Sequence, residues 1–279
     1  MSNFIKKYPA ISILVLSQII GVGMIAPIAA GLVPSDSALF LIAAFSASLA
    51  GIILTAIVSG KGGLRELFGR LLIWRVGIGW WAFALFALGL MFLGGMVLAA
   101  LFSGSALNLS FAQPLYMFIP LLVIRTLTDS GLGEELGWRG FLLPRLQARY
   151  SALVASIIVG IVWGLWHWPL FLMEGLPPYY EFGQMVGVIP GILALVFFLT
   201  VPWSILFTWM YNNTKGSLLL ACVFHGSQAW FTIMVDPANM MIPYLGYMAI
   251  MTVTAIVVVL ISGAQNLSRT NERIMLQDA

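Results

Sequence analysis

The stretch Ile11–Val33 reads ISILVLSQIIGVGMIAPIAAGLV and carries no ionisable side chain over 23 residues. At the rise of an α-helix it reaches about 35 Å, more than the roughly 30 Å hydrocarbon core of a bilayer. Lys6 and Lys7 stand just before it, as at the start of a signal peptide. A signal core has only about 7–15 apolar residues and ends at a small-x-small site, which is not evident here. The run is therefore read as a retained first transmembrane helix.

Seven further runs follow outward from it, at Leu39–Ser59, Trp80–Leu101, Leu115–Thr128 with its continuation, Ser151–Met173, Gln184–Met210, Leu218–Val235 and Met241–Ile261. Glycine and proline mark the connections, as in Val33-Pro34-Ser35-Asp36 and Gly175-Leu176-Pro177-Pro178. No low-complexity tract, repeat or soluble domain interrupts the series. The expected fold is all-α, a polytopic membrane protein of eight transmembrane helices forming one integral membrane domain over residues 1–279. Composition agrees, since 61% of the 279 residues are hydrophobic and 8% charged, against about 25% charged in soluble domains. The one cysteine, Cys222, excludes an intramolecular disulfide, and a net charge of +3 gives no footprint for nucleic acid.

Basic residues collect in cytoplasmic loops. With the N-terminus inside and alternating spans, the inner segments hold Lys6, Lys7, Lys61, Arg65, Arg70, Arg75, Arg139, Arg145, Arg149, Lys215, Arg269 and Arg273. The remaining basic residue, Arg125, lies in the fourth run, and the outer loops contain only the acids Asp36, Glu174, Glu181 and Asp236. Both termini are expected in the cytoplasm, across a membrane read as a bacterial plasma membrane. Within the first inner loop, Gly63–Arg75 (GLRELFGRLLIWR) is either an amphipathic helix on the inner leaflet or an ordinary basic loop.

The fourth run does not end cleanly. Counted to Thr128 it has 14 residues, and it continues as Arg125-Thr126-Leu127-Thr128-Asp129-Ser130-Gly131-Leu132-Gly133-Glu134-Glu135-Leu136-Gly137-Trp138-Arg139. An ionised group at mid-membrane costs about 2.5–3.5 kcal/mol, so charges at that depth are paired, inward-facing and retained for function. Glu135 and Arg139 are four apart in the favourable acid-before-base order, and Glu134 lies about 100° round the helix, outside that pair. The alternative is that the whole cluster is a cytoplasmic loop. Both histidines sit in apolar runs, His167 in Trp163-Gly164-Leu165-Trp166-His167 and His225 in Cys222-Val223-Phe224-His225-Gly226. A helical hairpin turning at Tyr150–Ser151 sets Glu134 and His167 sixteen residues either side of the turn, at one level.

At these residues the chain resembles the CPBP (Abi) family of intramembrane proteases, which includes the type II CAAX prenyl endopeptidases. Glu134-Glu135-x-x-x-Arg139 matches its first motif, Trp163-x-x-x-His167 its second with Trp where Phe is usual, and His225-Gly226-Ser227-Gln228-Ala229 its third, with Ala229 in place of Asn. The resemblance covers about residues 115–231. It implies hydrolysis of a peptide bond of a membrane-associated protein or peptide substrate. Glu134 and His167 activate a water, Glu135 and Arg139 support them, and His225 stabilises the oxyanion or joins Glu134 and His167 as ligand to a divalent metal such as zinc. Gln228 is the candidate to stand in for the missing Asn. A catalytically silent relative, of the bacteriocin self-immunity type, and a proton-coupled transporter are the alternatives.

The charge asymmetry yields a topology test. In a Cys222→Ser background, cysteines placed at Asp36, Gly175 and Asp236 should react with an impermeant thiol reagent in intact cells, whereas those at Gly62 and Asn213 should not. Labelling at Asn213 overturns the alternation.

Overall fold

The computed structural model describes residues 2–34, 37–104, 106–107, 111–128, 130–174, 179–235 and 241–276. Asp36, Asp129, Asp236 and the connection 175–178 lie outside the described residues. Among the described residues there is helix and no strand. In hydrocarbon this is the expected outcome, because a helix satisfies its own backbone hydrogen bonds within one segment.

In chain order the helices are α1 (Ser2–Lys7), α2 (Pro9–Ala29), α3 (Ala38–Ala44), α4 (Ser46–Gly69), α5 (Ile78–Ser103), α6 (Phe118–Leu127), α7 (Gly131–Glu135) and α8 (Leu143–Gln147). There follow α9 (Ala152–Trp166), α10 (Tyr179–Val186), α11 (Val188–Leu195), α12 (Val201–Asn213), α13 (Leu218–Gly226), α14 (Ala229–Met234) and α15 (Met241–Ser262). Two π-helical stretches, Leu136–Leu142 and Val196–Thr200, join α7 to α8 and α11 to α12. Merged across such joints, seven segments are long and apolar enough to cross a membrane: Pro9–Ile28, Ser46–Leu72, Ile78–Ser103, Leu115–Gln147, Ala152–Leu172, Val188–Asn213 and Met241–Ser262. The remaining expected span, Leu218–Val235, is a shorter apolar helix, Leu218–Met234, broken at Ser227–Gln228. Every residue of α13 except Leu219 is buried, so this element is walled by protein rather than lipid.

One boundary differs from expectation, and two open readings are resolved. The second run is interrupted at Phe45, and its main helix starts at Ser46 and continues through the charged residues to Gly69. Gly60, whose backbone (φ 60°, ψ −152°) glycine adopts without a Cβ penalty, kinks this element into two helices, and the basic stretch from Gly63 lies in the second, helical rather than a loop. The fourth span reaches Gln147, with the polar cluster inside it rather than in a loop. Ser151 and Ser217 cap α9 and α13 through their side-chain oxygens, fixing where each helix begins.

Packing rests on small residues, because lipid supplies no hydrophobic force between helices. α4 runs along the Leu136–Leu142 stretch, and α15 along α5. At the first crossing a Cβ on Gly51 would lie 2.7 Å from Gly137 Cα, and one on Gly137 would strike the Ala47 carbonyl. Backbone meets backbone there, so neither side can yield. Gly137→Ala should therefore lower the midpoint of thermal unfolding in detergent, at a cost of about 3 kcal/mol or more, the upper end for overpacking. Gly62→Ala, with no atom within 4 Å of its added carbon, is the control that leaves the midpoint unchanged.

Candidate active site

A cavity of about 290 Å³ opens among α2, α3, α7, α9, α12 and α14, and Glu134, His167, His225 and Gln228 all line it. Glu134 and Glu135 are adjacent on the last turn of α7, where the helix begins to widen into the π stretch. π segments frequently occur at functional sites. Both carboxylates are buried, Glu135 fully.

Their surroundings differ. Glu135 Oε1 accepts from Arg139 Nη1 at 3.1 Å and from His225 Nδ1 at 2.7 Å. The Arg139 guanidinium packs against two aromatic rings set edge to face, with Cζ 3.8 Å from the Phe207 centroid and 4.8 Å from that of Trp163. Such packing suits the planar, weakly hydrated guanidinium. The i,i+4 pairing read from sequence is thus present, and it also reaches a histidine 90 residues away that spacing could not reveal.

Glu134 is outside the ion pair but is not loose. Its Oε2 accepts from the indole N–H of Trp138 at 3.0 Å and of Trp163 at 2.6 Å. Its Oε1 faces His225 Nε2 at 4.0 Å, beyond hydrogen-bond length. From sequence, Trp163 stands out as a motif aromatic, and Trp138 carries no assigned role. The available signal was that an indole is a donor as well as a ring, and a buried indole N–H normally finds a partner.

Each histidine has one nitrogen committed. His167, at the C-terminal cap of α9, shares its Nδ1 with the Trp163 carbonyl at 2.8 Å. A carbonyl only accepts, so Nδ1 carries the hydrogen in this bond and Nε2 is left for other chemistry. His225 Nδ1 is likewise committed to a carboxylate, and its Nε2 points toward Glu134. Tyr179 stacks on His167 with centroids 5.6 Å apart. The hairpin count set His167 level with Glu134; both line the cavity, and the indole of Trp163, one turn earlier on α9, is the group that bonds Glu134 directly.

The third motif also departs from its expected geometry. Since the helix breaks at Ser227–Gln228, residue 229 does not continue the face of His225. Ala229 is fully buried at the start of α14, whereas Gln228 lines the cavity.

The expected zinc set was Glu134, His167 and His225. Among the described residues no three His, Cys, Asp or Glu side chains stand together as a metal-holding group. The donors as placed do not fit a three-ligand site, and one Glu134 oxygen is already held by two indoles.

Comparison with known proteins bears on the same region. Residues 116–231 match the family model described as Type II CAAX prenyl endopeptidase Rce1-like. A curated protein of Methanococcus maripaludis, described as CAAX prenyl protease 2, is 38% identical over 133 residues. That alignment covers 47% of this chain and 44% of the relative, so less than half of either length is shared.

The two carboxylates are separable by stability. Glu135→Gln removes the charge opposing Arg139, and breaking one half of a buried pair costs about 3–5 kcal/mol. Glu134→Gln keeps an acceptor for both indoles, so the unfolding midpoint in detergent should fall for the first variant and hold for the second. Equal losses would refute this division.

Proposed function

We propose, from the match of residues 116–231 to the family model described as Type II CAAX prenyl endopeptidase Rce1-like, that this protein is an intramembrane endopeptidase. It hydrolyses a peptide bond of a membrane-associated substrate with a water activated inside the cavity. The observation that carries the reading is Glu134. Two indole N–H groups fix one of its oxygens, while the other faces the cavity and a histidine 4.0 Å away, a gap that one water can bridge.

In the proposed reaction Glu134 Oε1 takes a proton from that water as its oxygen attacks the scissile carbonyl carbon. His225, whose Nδ1–H is held by Glu135, faces the oxyanion with Nε2 and donates to it in its doubly protonated form. Gln228 supplies a further amide donor from the cavity wall. The C–N bond then breaks and the leaving amine receives a proton from Glu134 or from His167. Glu135 and Arg139 do not meet the substrate; they hold His225 in its tautomer. Because the donors do not form a ligand set, each step runs through side chains alone.

The chain is an integral membrane protein, with seven helices of spanning length among the described residues. The one-sided distribution of Lys and Arg supports cytoplasmic termini, with Glu134 and Arg139 toward the inner half of the bilayer.

The test is cleavage of a labelled peptide with a prenylated CAAX terminus by the purified chain in detergent. Wild type should cleave it, and Glu134→Gln should abolish turnover without losing the fold. Gln228→Ala should lower kcat by about 10²–10³, as for loss of one oxyanion donor. A kinetically silent Gln228→Ala removes that residue from the mechanism, and an inactive wild type moves the protein to the silent alternative.

A further inference from the structure

Gln18 is a polar residue in the most lipid-exposed of the spanning helices, 98 residues before the matched segment begins at residue 116. Its amide is fully committed across the bundle. Nε2 donates to the Trp166 carbonyl at 3.0 Å, and Oε1 accepts from the Trp168 indole at 3.0 Å. These two residues flank His167. We propose that Gln18 is a positioning residue for the reaction, bracketing His167 and holding it in the tautomer and orientation that aim Nε2 into the cavity.

The local backbone shows why a bracket is needed there. α9 ends at Trp166 and a 3₁₀ turn, Trp168–Leu172, follows at once. The last carbonyls of a helix have no partner within it, and in hydrocarbon each must find one. The Gly164 carbonyl takes the His167 backbone N–H at 3.2 Å, and the Trp163 carbonyl takes the His167 ring at 2.8 Å. The Trp166 carbonyl takes Gln18. Without that donor the Trp166 carbonyl is left unpaired at the end of α9, and the turn that carries His167 loses its tie to α2. A second tie from the same place, Trp166 Nε1 to Ser46 Oγ at 3.1 Å, anchors the turn to α4 but does not reach beyond His167. Gln18 alone spans both sides of it.

This inference rests on the proposed role of His167, and its test has a readout independent of turnover. Only two histidines exist in the chain, so ¹⁵N-histidine labelling with a His225→Asn reference assigns both rings. In wild type His167 should show a single Nδ1–H tautomer. Gln18→Leu should convert it to an exchanging mixture and lower kcat about tenfold or more, the scale of a small misplacement of a catalytic group, with KM unchanged. An unchanged ring spectrum with unchanged kcat overturns the proposal, and so does a raised KM with kcat intact, which makes Gln18 a substrate contact. Should Gln18→Leu fail to insert, Trp168→Phe removes one arm of the bracket. A partial loss of kcat with a perturbed His167 signal then supports it, and silence in both refutes it. If wild type cleaves no peptide, the protease reading fails while the ring spectrum still decides the bracket.

Discussion

A guanidinium in the membrane interior must be neutralised locally, and the site follows from how Arg139 meets that demand. Its charge is met by Glu135, and Phe207 and Trp163 pack against it with their rings nearly perpendicular to each other. Once Glu135 is fixed by Arg139, its same oxygen fixes His225, and Trp163, which packs against Arg139, also donates to Glu134. One buried ion pair thus sets the positions of a second carboxylate, an imidazole and an indole. Ion pairs of this kind add little net stability over an apolar core, but they are costly to break, which makes the arrangement unique rather than merely strong.

The enclosing bundle gives these groups their dryness. Close contact of α4 with the Leu136–Leu142 stretch, backbone against backbone at Gly51 and Gly137, seals one side of the carboxylate turn. α5 and α15 approach as closely, a Cβ on Gly246 falling 2.7 Å from the Gly95 carbonyl. With water excluded, charges and dipoles act at low effective dielectric, and a carboxylate or indole N–H aimed at a reacting atom is worth far more than in water.

Much of this was legible in the sequence where the physics is local. Runs of about 20 apolar residues announce spans because the bilayer thickness sets their length, and Glu135 with Arg139 announces itself because i and i+4 share a helix face. The misses are tertiary. Nothing near Trp163 says that its N–H reaches Glu134, 29 positions earlier, and nothing near Gln18 points to Trp166, 148 positions on. The breaks at Phe45 and Ser227–Gln228 and the π stretches are invisible to hydropathy, which registers how apolar a segment is and not how its backbone hydrogen bonds are spaced. The turn at residues 227–228 is the most instructive case. Counting four from His225 leads to Ala229, whereas the bent chain presents Gln228.

The element that carries His225 is wrapped by protein on nearly all sides and is interrupted at mid-length by two polar residues. Such a segment gains little by partitioning alone into lipid, since its favourable contacts are with other helices. Its main neighbours, α5, α6 and α7, all precede it in the chain, whereas α15 packs on α5 and α12. Tyr244 is the one described lining residue of the cavity beyond residue 241, so a chain arrested there would already hold both glutamates, both histidines and nearly all of the wall that encloses them.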